Sequence, residues 1–144
     1  MAVNRIHHSP TALRRQKQIE DCLYENLLHH PWQSISVADI CRQVGISRKA
    51  YYNYYKDKES CFCSYIDRTI RDTMLETSQN LPDNATLLET AMALLSHWKT
   101  KKELLDVLVN NNLLYFLMSQ AIDYTLTEDR TVLDLLSTSD IITL

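Results

Sequence analysis

Residues 36–55 read SVADICRQVGISRKAYYNYY, and this stretch decides the fold of the chain's first half. Ser36 is a good helix-capping residue, and the apolar spacing that follows it predicts a short helix of about two turns. Gly45 ends that helix, because glycine enters the left-handed conformation without steric cost. Ser47 then caps a second helix, predicted over about residues 48–55. The stretch therefore predicts two short helices joined by a tight turn, and the apolar stripe of the first helix is Val37, Ile40, Cys41 and Val44.

The second of these helices has two chemically different faces. At 100° per residue, an arc of about 140° holds the polar side chains of Arg48, Lys49, Tyr52 and Asn53. The rest of the circumference is aromatic, with Tyr51, Tyr54 and Tyr55. Arginine and lysine can reach guanine edges in a DNA major groove and asparagine can bind adenine, so this pattern favours a DNA-reading helix whose aromatic back packs on a core. The alternative is a polar face that contacts only water.

Lys58 occupies an unusual place for a residue selected for stability alone. Asp57 can cap the next helix, which makes Lys58 its first residue, where a cation opposes the helix dipole. A lysine beside the free N–H groups of a helix start is, however, a good phosphate clamp. Residues 42–58 hold five basic residues and one acidic residue, whereas residues 81–144 hold four basic and nine acidic residues. A compact basic segment thus lies in a chain whose net charge is −3.

A single glycine in 144 residues indicates an all-helical chain. Hairpins and tight β-turns need backbone at positive φ, which glycine adopts most readily. The same count excludes dinucleotide fingerprints, P-loops and nucleophile elbows, each of which needs at least two glycines. The longest apolar run, at 113–118, is far below the roughly 20 residues of a membrane helix, and the first residues lack an apolar signal core. We therefore expect a cytoplasmic protein.

Periodic apolar positions predict further helices on both sides of the central stretch. A first helix is predicted over about residues 11–30, ended by Pro31. A long helix over about 58–79 precedes a break at 80–84, and its expected buried residues are Phe62, Tyr65, Ile66, Ile70 and Leu75. The asparagines at 110–112 mark a turn or join between two later helices. After the break, the apolar spacing predicts helices around 87–98, 104–109, 113–126 and 132–136.

The segment from Ile35 to Glu59, ISVADICRQVGISRKAYYNYYKDKE, closely resembles the DNA-binding domain of TetR-family transcriptional regulators. The resemblance covers about residues 11–65. It implies a three-helix head in which the second and third helices form a helix-turn-helix. It also implies a long connecting helix into a helical body that binds a ligand and dimerises. The domains expected on this basis are a DNA-binding domain, residues 1–57, and a ligand-binding and dimerisation domain, residues 58–144.

The family's contact residues carry over by position. Ser36 resembles the family's phosphate-contacting cap, Tyr52 matches its recognition-helix tyrosine on the DNA backbone, and Lys58 matches the lysine at the start of its helix 4. Tyr54 stands where the family has His or Tyr. The predicted phosphate contacts are thus Ser36, Ser47, Tyr52, Tyr54 and Lys58. The positions that vary in the family and bind bases are Arg48, Lys49 and Asn53.

The chain departs from the family pattern at several positions. The pair 31–32, Pro-Trp, replaces the usual Gly-aromatic pair after the first helix, and Ala50 replaces a frequent Thr. Tyr51 and Tyr55 stand where Leu or Phe is usual. We expect both rings in the core, with their hydroxyls at its margin.

The four cysteines follow no metal-binding or disulfide pattern. Cys22 and Cys41 fall where the family generally has alanine, and we expect them to be small packing residues. Cys61 and Cys63 are about 200° apart around their predicted helix, so they cannot jointly hold a metal within it. We expect no cofactor, no metal and no catalytic residue, and hence no enzyme.

The second half of the chain is expected to form either a ligand pocket or only a packed core. The candidate pocket residues are His97, Trp98, Tyr115, Phe116, Met118 and Tyr124. Aromatic and apolar side chains at helical spacing fill cores more often than they line pockets. By the standard of the family this half is short, so the expected body is either reduced or incomplete.

These features predict a DNA-binding transcriptional regulator, more often a repressor by the family resemblance, that binds a palindromic operator as a homodimer and responds to a small-molecule inducer. The alternative is a helical protein-interaction module that keeps the fold of the head but binds a partner protein. The two differ at Arg48 and Lys49, because reversing those charges would leave the DNA affinity of an interaction module unchanged.

Overall fold

The computed structural model describes residues 9–127, with side chains through Asp123. Every regular element within these residues is helical, which confirms the all-α prediction. In chain order the elements are α1 (Pro10–His29), a 3-10 turn (Trp32–Ser34), α2 (Val37–Val44), α3 (Arg48–Tyr52), α4 (Lys58–Gln79), α5 (Leu87–Lys99), α6 (Lys102–Asn110) and α7 (Leu114–Thr127). The helix predicted around 132–136 lies outside the described residues.

Side-chain caps mark the starts of several helices, although α6 begins without one. Ser9 directly precedes α1, and its hydroxyl accepts a hydrogen bond from the N–H of Ala12 at 3.1 Å. At the start of α4, the Asp57 carboxylate accepts from the N–H of Ser60 at 2.7 Å. Each cap satisfies an N–H that has no partner within its own helix. Both helices start within a residue or two of the predicted position.

The third helix is shorter than the sequence predicts. It ends at Tyr52 rather than near Tyr55, and Asn53 is its C-terminal cap with φ −70° and ψ −24°. Beyond the cap, the N–H of Tyr54 donates to the carbonyl of Tyr51 at 2.9 Å. The N–H of Tyr55 donates to the same carbonyl at 3.0 Å, so two N–H groups share one acceptor where the helix ends.

The chain forms two compact units, and the division between them falls inside α4, between Ile66 and Asp67. The division predicted between residues 57 and 58 lies at the start of the same helix. In the first unit, two reciprocal amide hydrogen bonds of 2.9 and 3.0 Å between Asn26 and Gln43 join α1 to α2. The fully buried core residues of this unit include Ile19, Leu23, Ile40, Tyr51, Phe62 and Ile66.

The cysteines of the first unit are free thiols, of which Cys22 is half-buried and the other three are buried. Burial raises the pKa of Cys22 and of Cys41 above the ordinary thiol value. A raised pKa keeps a thiol protonated and weakly nucleophilic. This agrees with the packing role predicted for both residues.

The second unit buries part of its apolar surface and exposes the rest. Its buried residues include Ile70, Leu104, Leu108, Leu113 and Phe116. Helix α5 contributes no buried side chain. Leu75 was predicted to be buried but is 58% exposed, whereas Thr73 and Thr77, two residues away on either side, are buried, so Leu75 lies on the opposite face of α4. The exposed apolar residues of α5 and α7 include Leu88, Met92, Leu95, Leu114, Tyr115, Met118 and Ile122.

An asparagine ends α6 in the way that glycine ends other helices. Asn112 has φ 56°, and the N–H of Leu113 donates to the carbonyl of Leu108 at 2.8 Å. Asparagine tolerates the left-handed region better than most residues. The join predicted at 110–112 is confirmed.

Candidate nucleic-acid interface

Ser36 caps the start of α2, and both hydrogen bonds of its hydroxyl are made with Asp39. Its hydroxyl accepts from the N–H of Asp39 at 3.1 Å and donates to the Asp39 carboxylate at 2.7 Å. Arg42 donates to the same carboxylate at 2.5 Å. The Ser36 hydroxyl, and then Arg42, hold the pKa of Asp39 below its ordinary value. Because the hydroxyl proton of Ser36 is donated to Asp39, a phosphate oxygen would have to displace that bond to receive it.

Gly45 makes the turn between α2 and α3. Its φ of 79° and ψ of 40° are left-handed, and its N–H donates to the carbonyl of Cys41 at 2.9 Å. The N–H of Ile46 donates to the same carbonyl at 3.0 Å, which completes the closing pattern of a helix end. Ser47 follows at once and caps α3 by accepting from the N–H of Ala50 at 3.1 Å. Two residues therefore separate the cap of one helix from the first residue of the next.

The face of α3 predicted to be polar is exposed. The exposed side chains are those of Arg48, Lys49, Tyr52 and Asn53, and Tyr52 is 53% exposed. Asn53 lies at the helix cap rather than inside the helix. The set presents cationic and amide N–H donors with a phenol among them. These are the groups that recognise phosphate oxygens and base edges.

The opposite face of α3 holds tyrosines in the core. Tyr51 has no exposed area, and its hydroxyl donates to the carbonyl of Asp57 at 2.8 Å. Tyr55 is 3% exposed, and its hydroxyl donates to the carbonyl of Gln16 at 3.4 Å. Burial raises the pKa of both phenols far above the ordinary value. Tyr54 is half-buried, with its ring centroid 6.4 Å from that of Tyr55.

Lys58 contacts the segment between α1 and α2. Its Nζ donates to the carbonyl of Trp32 at 2.7 Å and to the carbonyl of Ile35 at 3.0 Å. The same nitrogen lies 4.2 Å from the centroid of the Trp32 ring, a cation–π distance. Burial lowers the pKa of Lys58, and the nearby charge of Glu59 partly opposes that effect.

The residues predicted to line a pocket in the second unit have different surroundings. Phe116 is buried, whereas the adjacent Tyr115 and nearby Met118 are about 60% exposed. Trp98 is half-buried. The His97 Nε2 lies 3.1 Å from a carboxylate oxygen of Glu76. The side chain of the sixth predicted residue, Tyr124, lies outside the described residues.

An open groove of about 330 Å³ lies elsewhere in the second unit, where α4 ends and α5 begins. Its lining combines three hydroxyl side chains and one carboxylate with apolar groups. None of the six predicted pocket residues lines this groove, so the pocket stays a prediction. The lining residues are Met74, Thr77, Ser78, Leu81, Pro82, Asp83, Ala85, Thr90 and Leu94.

Comparisons with known proteins give no relative: no family model, no curated protein and no solved structure matches the chain. Within residues 9–123, no three His, Cys, Asp or Glu side chains gather closely enough to hold a metal ion. None of the helices between residues 9 and 127 has the length and apolar character needed to cross a membrane.

Sequence reasoning missed the partners that organise the first unit. The backbone carbonyls of Trp32 and Ile35 accept hydrogen bonds from Lys58, and because every residue has a backbone carbonyl, the sequence cannot show which ones will do so. Asn26 and Gln43 pair across α1 and α2, but amides 17 positions apart follow no local spacing rule. A combination that could have been noticed is an aromatic residue just before α2 with a lysine at the start of α4, since lysine and tryptophan attract one another.

Proposed function

We propose that this chain is a sequence-specific DNA-binding transcriptional regulator whose first unit contains a helix-turn-helix head. The observation that carries the proposal is the segregation of α3 into two faces. Arg48, Lys49 and Tyr52 are exposed on one face, while Tyr51 is wholly buried on the other. A buried aromatic back fixes the helix, and an exposed cationic front is free to enter a major groove.

The proposed contacts divide into two classes. Arg48, Lys49 and Asn53 bind base edges, because guanidinium, ammonium and amide groups match the donor and acceptor pattern of the major groove. Ser36, Ser47, Tyr52 and Tyr54 contact phosphates and set the position of the head on the duplex. The phosphate contacts fix the register, while the base contacts supply the sequence preference.

We further propose that the regulator is a homodimer on a palindromic operator and acts as a ligand-responsive repressor. Two heads then enter successive major grooves about 34–36 Å apart. Leu88, Met92 and Leu95 are exposed on one face of α5, at the i, i+4 and i+7 positions, and an exposed apolar face of this kind supports a dimer because such surfaces mark interaction sites. An inducer bound in the second unit would act by binding one of two dimer states more tightly than the other. In this proposal the chain carries out no chemical reaction.

The test is selection of bound fragments of the source genome by the purified protein at two salt concentrations. We expect an enriched inverted repeat whose affinity falls as salt rises, because Lys and Arg contacts release counterions from DNA. A folded protein that enriches no fragment would contradict the proposal and favour the protein-interaction module.

A pair of charge reversals then locates the interface. Arg48→Glu with Lys49→Glu should raise the Kd for the selected repeat at least about 30-fold, since each of the two lost base contacts is worth about 1–3 kcal/mol. The matched control is Lys99→Glu with Lys102→Glu, which makes the same change in net charge in the second unit. Equal effects of the two double variants would show that α3 is not the reading helix.

A further inference from the structure

Lys58 is the only charged residue among the predicted phosphate contacts, and its ammonium group already donates hydrogen bonds within the protein. Two of the three N–H bonds of its ammonium are donated to the carbonyls of Trp32 and Ile35. The ammonium also lies over the Trp32 ring, and the side chain is half-buried. A lysine serving mainly as a phosphate clamp would present its donors to solvent.

The carbonyls of Trp32 and Ile35 belong to the segment that leads into α2. Trp32 begins the 3-10 turn, and its carbonyl also accepts from the N–H of Ile35 at 3.3 Å. Ile35 is buried and directly precedes Ser36, the cap of α2. One ammonium therefore connects the first residue of α4 to the segment that leads into α2. Trp32 in turn packs against Phe62 of α4, with ring centroids 5.3 Å apart.

We propose that Lys58 serves DNA binding as a positioning residue, holding residues 32–36 and through them the start of α2. The inference rests on the proposed function and changes the role of Lys58 in it from phosphate contact to positioning residue. The cation stabilises two carbonyls that helical hydrogen bonding leaves without a full set of partners. Removing it frees the 3-10 turn, so the Ser36 cap and α2 lose the position that the head presents to DNA.

The salt dependence of DNA binding distinguishes positioning from direct contact. If Lys58 neutralises a phosphate, Lys58→Met should reduce the slope of log K against log salt by about 0.9. If it positions α2, Lys58→Met should raise the Kd roughly tenfold, about the loss of one well-made contact, with the slope unchanged. The matched control is Lys56→Met, which removes an equal charge from an exposed side chain two residues away. A slope that falls in Lys58→Met but not in Lys56→Met would overturn the proposal.

A double-mutant cycle with Trp32 adds an independent test. Trp32→Leu removes the ring beneath the ammonium and leaves the net charge of the protein unchanged. Under the positioning proposal, Trp32→Leu also weakens DNA binding, and the double variant loses less than the product of the two single losses. Losses that multiply independently would overturn it.

A third measurement needs no DNA. The chain has two tryptophans, so in a Trp98→Phe background Trp32 is the sole indole emitter. Lys58→Met should increase acrylamide quenching of Trp32, whereas Lys56→Met should leave it unchanged, with circular dichroism reporting that both variants keep their helices. Unchanged quenching in Lys58→Met would refute the positioning role. If the genomic selection fails while this quenching difference appears, the proposed function is wrong, but the structural role of Lys58 stands.

Discussion

Replacement of the single glycine offers a test whose magnitude follows from the geometry of one turn. At Gly45 the backbone is left-handed, with φ 79°, and no atom lies within 4 Å of the position that a Cβ would take. An alanine there would neither clash with a neighbour nor gain packing. The whole effect is the backbone penalty of about 1–2 kcal/mol for an L-residue in this region, reduced by about 0.4–1 kcal/mol through the stiffer unfolded chain.

Gly45→Ala is therefore expected to lower the free energy of unfolding by about 1 kcal/mol. In a urea titration followed by circular dichroism, with an m-value of about 1–3 kcal/mol/M, the midpoint would fall by roughly 0.3–1 M. Gly45→Asn is the matched control, because asparagine enters the left-handed region more readily and should lose less than alanine. A loss above about 3 kcal/mol would show a steric neighbour that the structure lacks, and a gain in stability would show that the turn is not left-handed; either result refutes the reasoning.

Three further perturbations test other parts of the molecule. Tyr51→Phe removes a buried hydroxyl that donates to the Asp57 carbonyl, and should lower the free energy of unfolding by about 1 kcal/mol in urea; an unchanged midpoint would contradict that bond. The N–H and hydroxyl of Thr86 lower the pKa of Glu89, so its stabilisation is present above the ordinary pKa and is lost as the pH falls through the lowered value. Glu89→Gln should therefore lose less stability than the wild type between neutral and acidic pH in thermal melts, and parallel pH profiles would argue against this cap. Met92→Glu places a charge on the exposed apolar face of α5 and should shift the proposed homodimer toward monomer in sedimentation velocity, whereas an unchanged dimer would place the interface elsewhere.

The sequence predicted the helices well wherever a local signal was decisive. Pro31, Gly45 and the asparagines at 110–112 each act on their own backbone, so their effects can be predicted without knowing the fold. Capping residues such as Ser36 and Asp57 likewise act within one helical turn. These signals place the limits of most helices within a residue or two.

The sequence could not predict properties that depend on distant residues. Leu75 is apolar but exposed, because it lies on the other side of α4 from the buried Thr73 and Thr77, and an apolar residue does not by itself show which face of a helix is covered. Tyr115 and Phe116 are adjacent, yet one is exposed and the other buried. The early end of α3 at Tyr52 is marked by no glycine or proline in the sequence. The hydrogen bonds of Lys58 to two backbone carbonyls depend on tertiary structure alone.

The buried phenols of Tyr51 and Tyr55 give the first unit a characteristic weakness toward alkali. Both hydroxyls have raised pKa values in the folded protein, whereas both would ionise near the ordinary value of 10.0 in the unfolded chain. Folding therefore retains protons that unfolding releases, and each group removes about 1.4 kcal/mol of stability per pH unit above that value. Tyrosinate absorbs where neutral tyrosine does not, and these two of the eight tyrosines would ionise only when the core around them unfolds. In an alkaline titration, tyrosinate absorbance would then show a late, cooperative increase that marks the unfolding of the first unit.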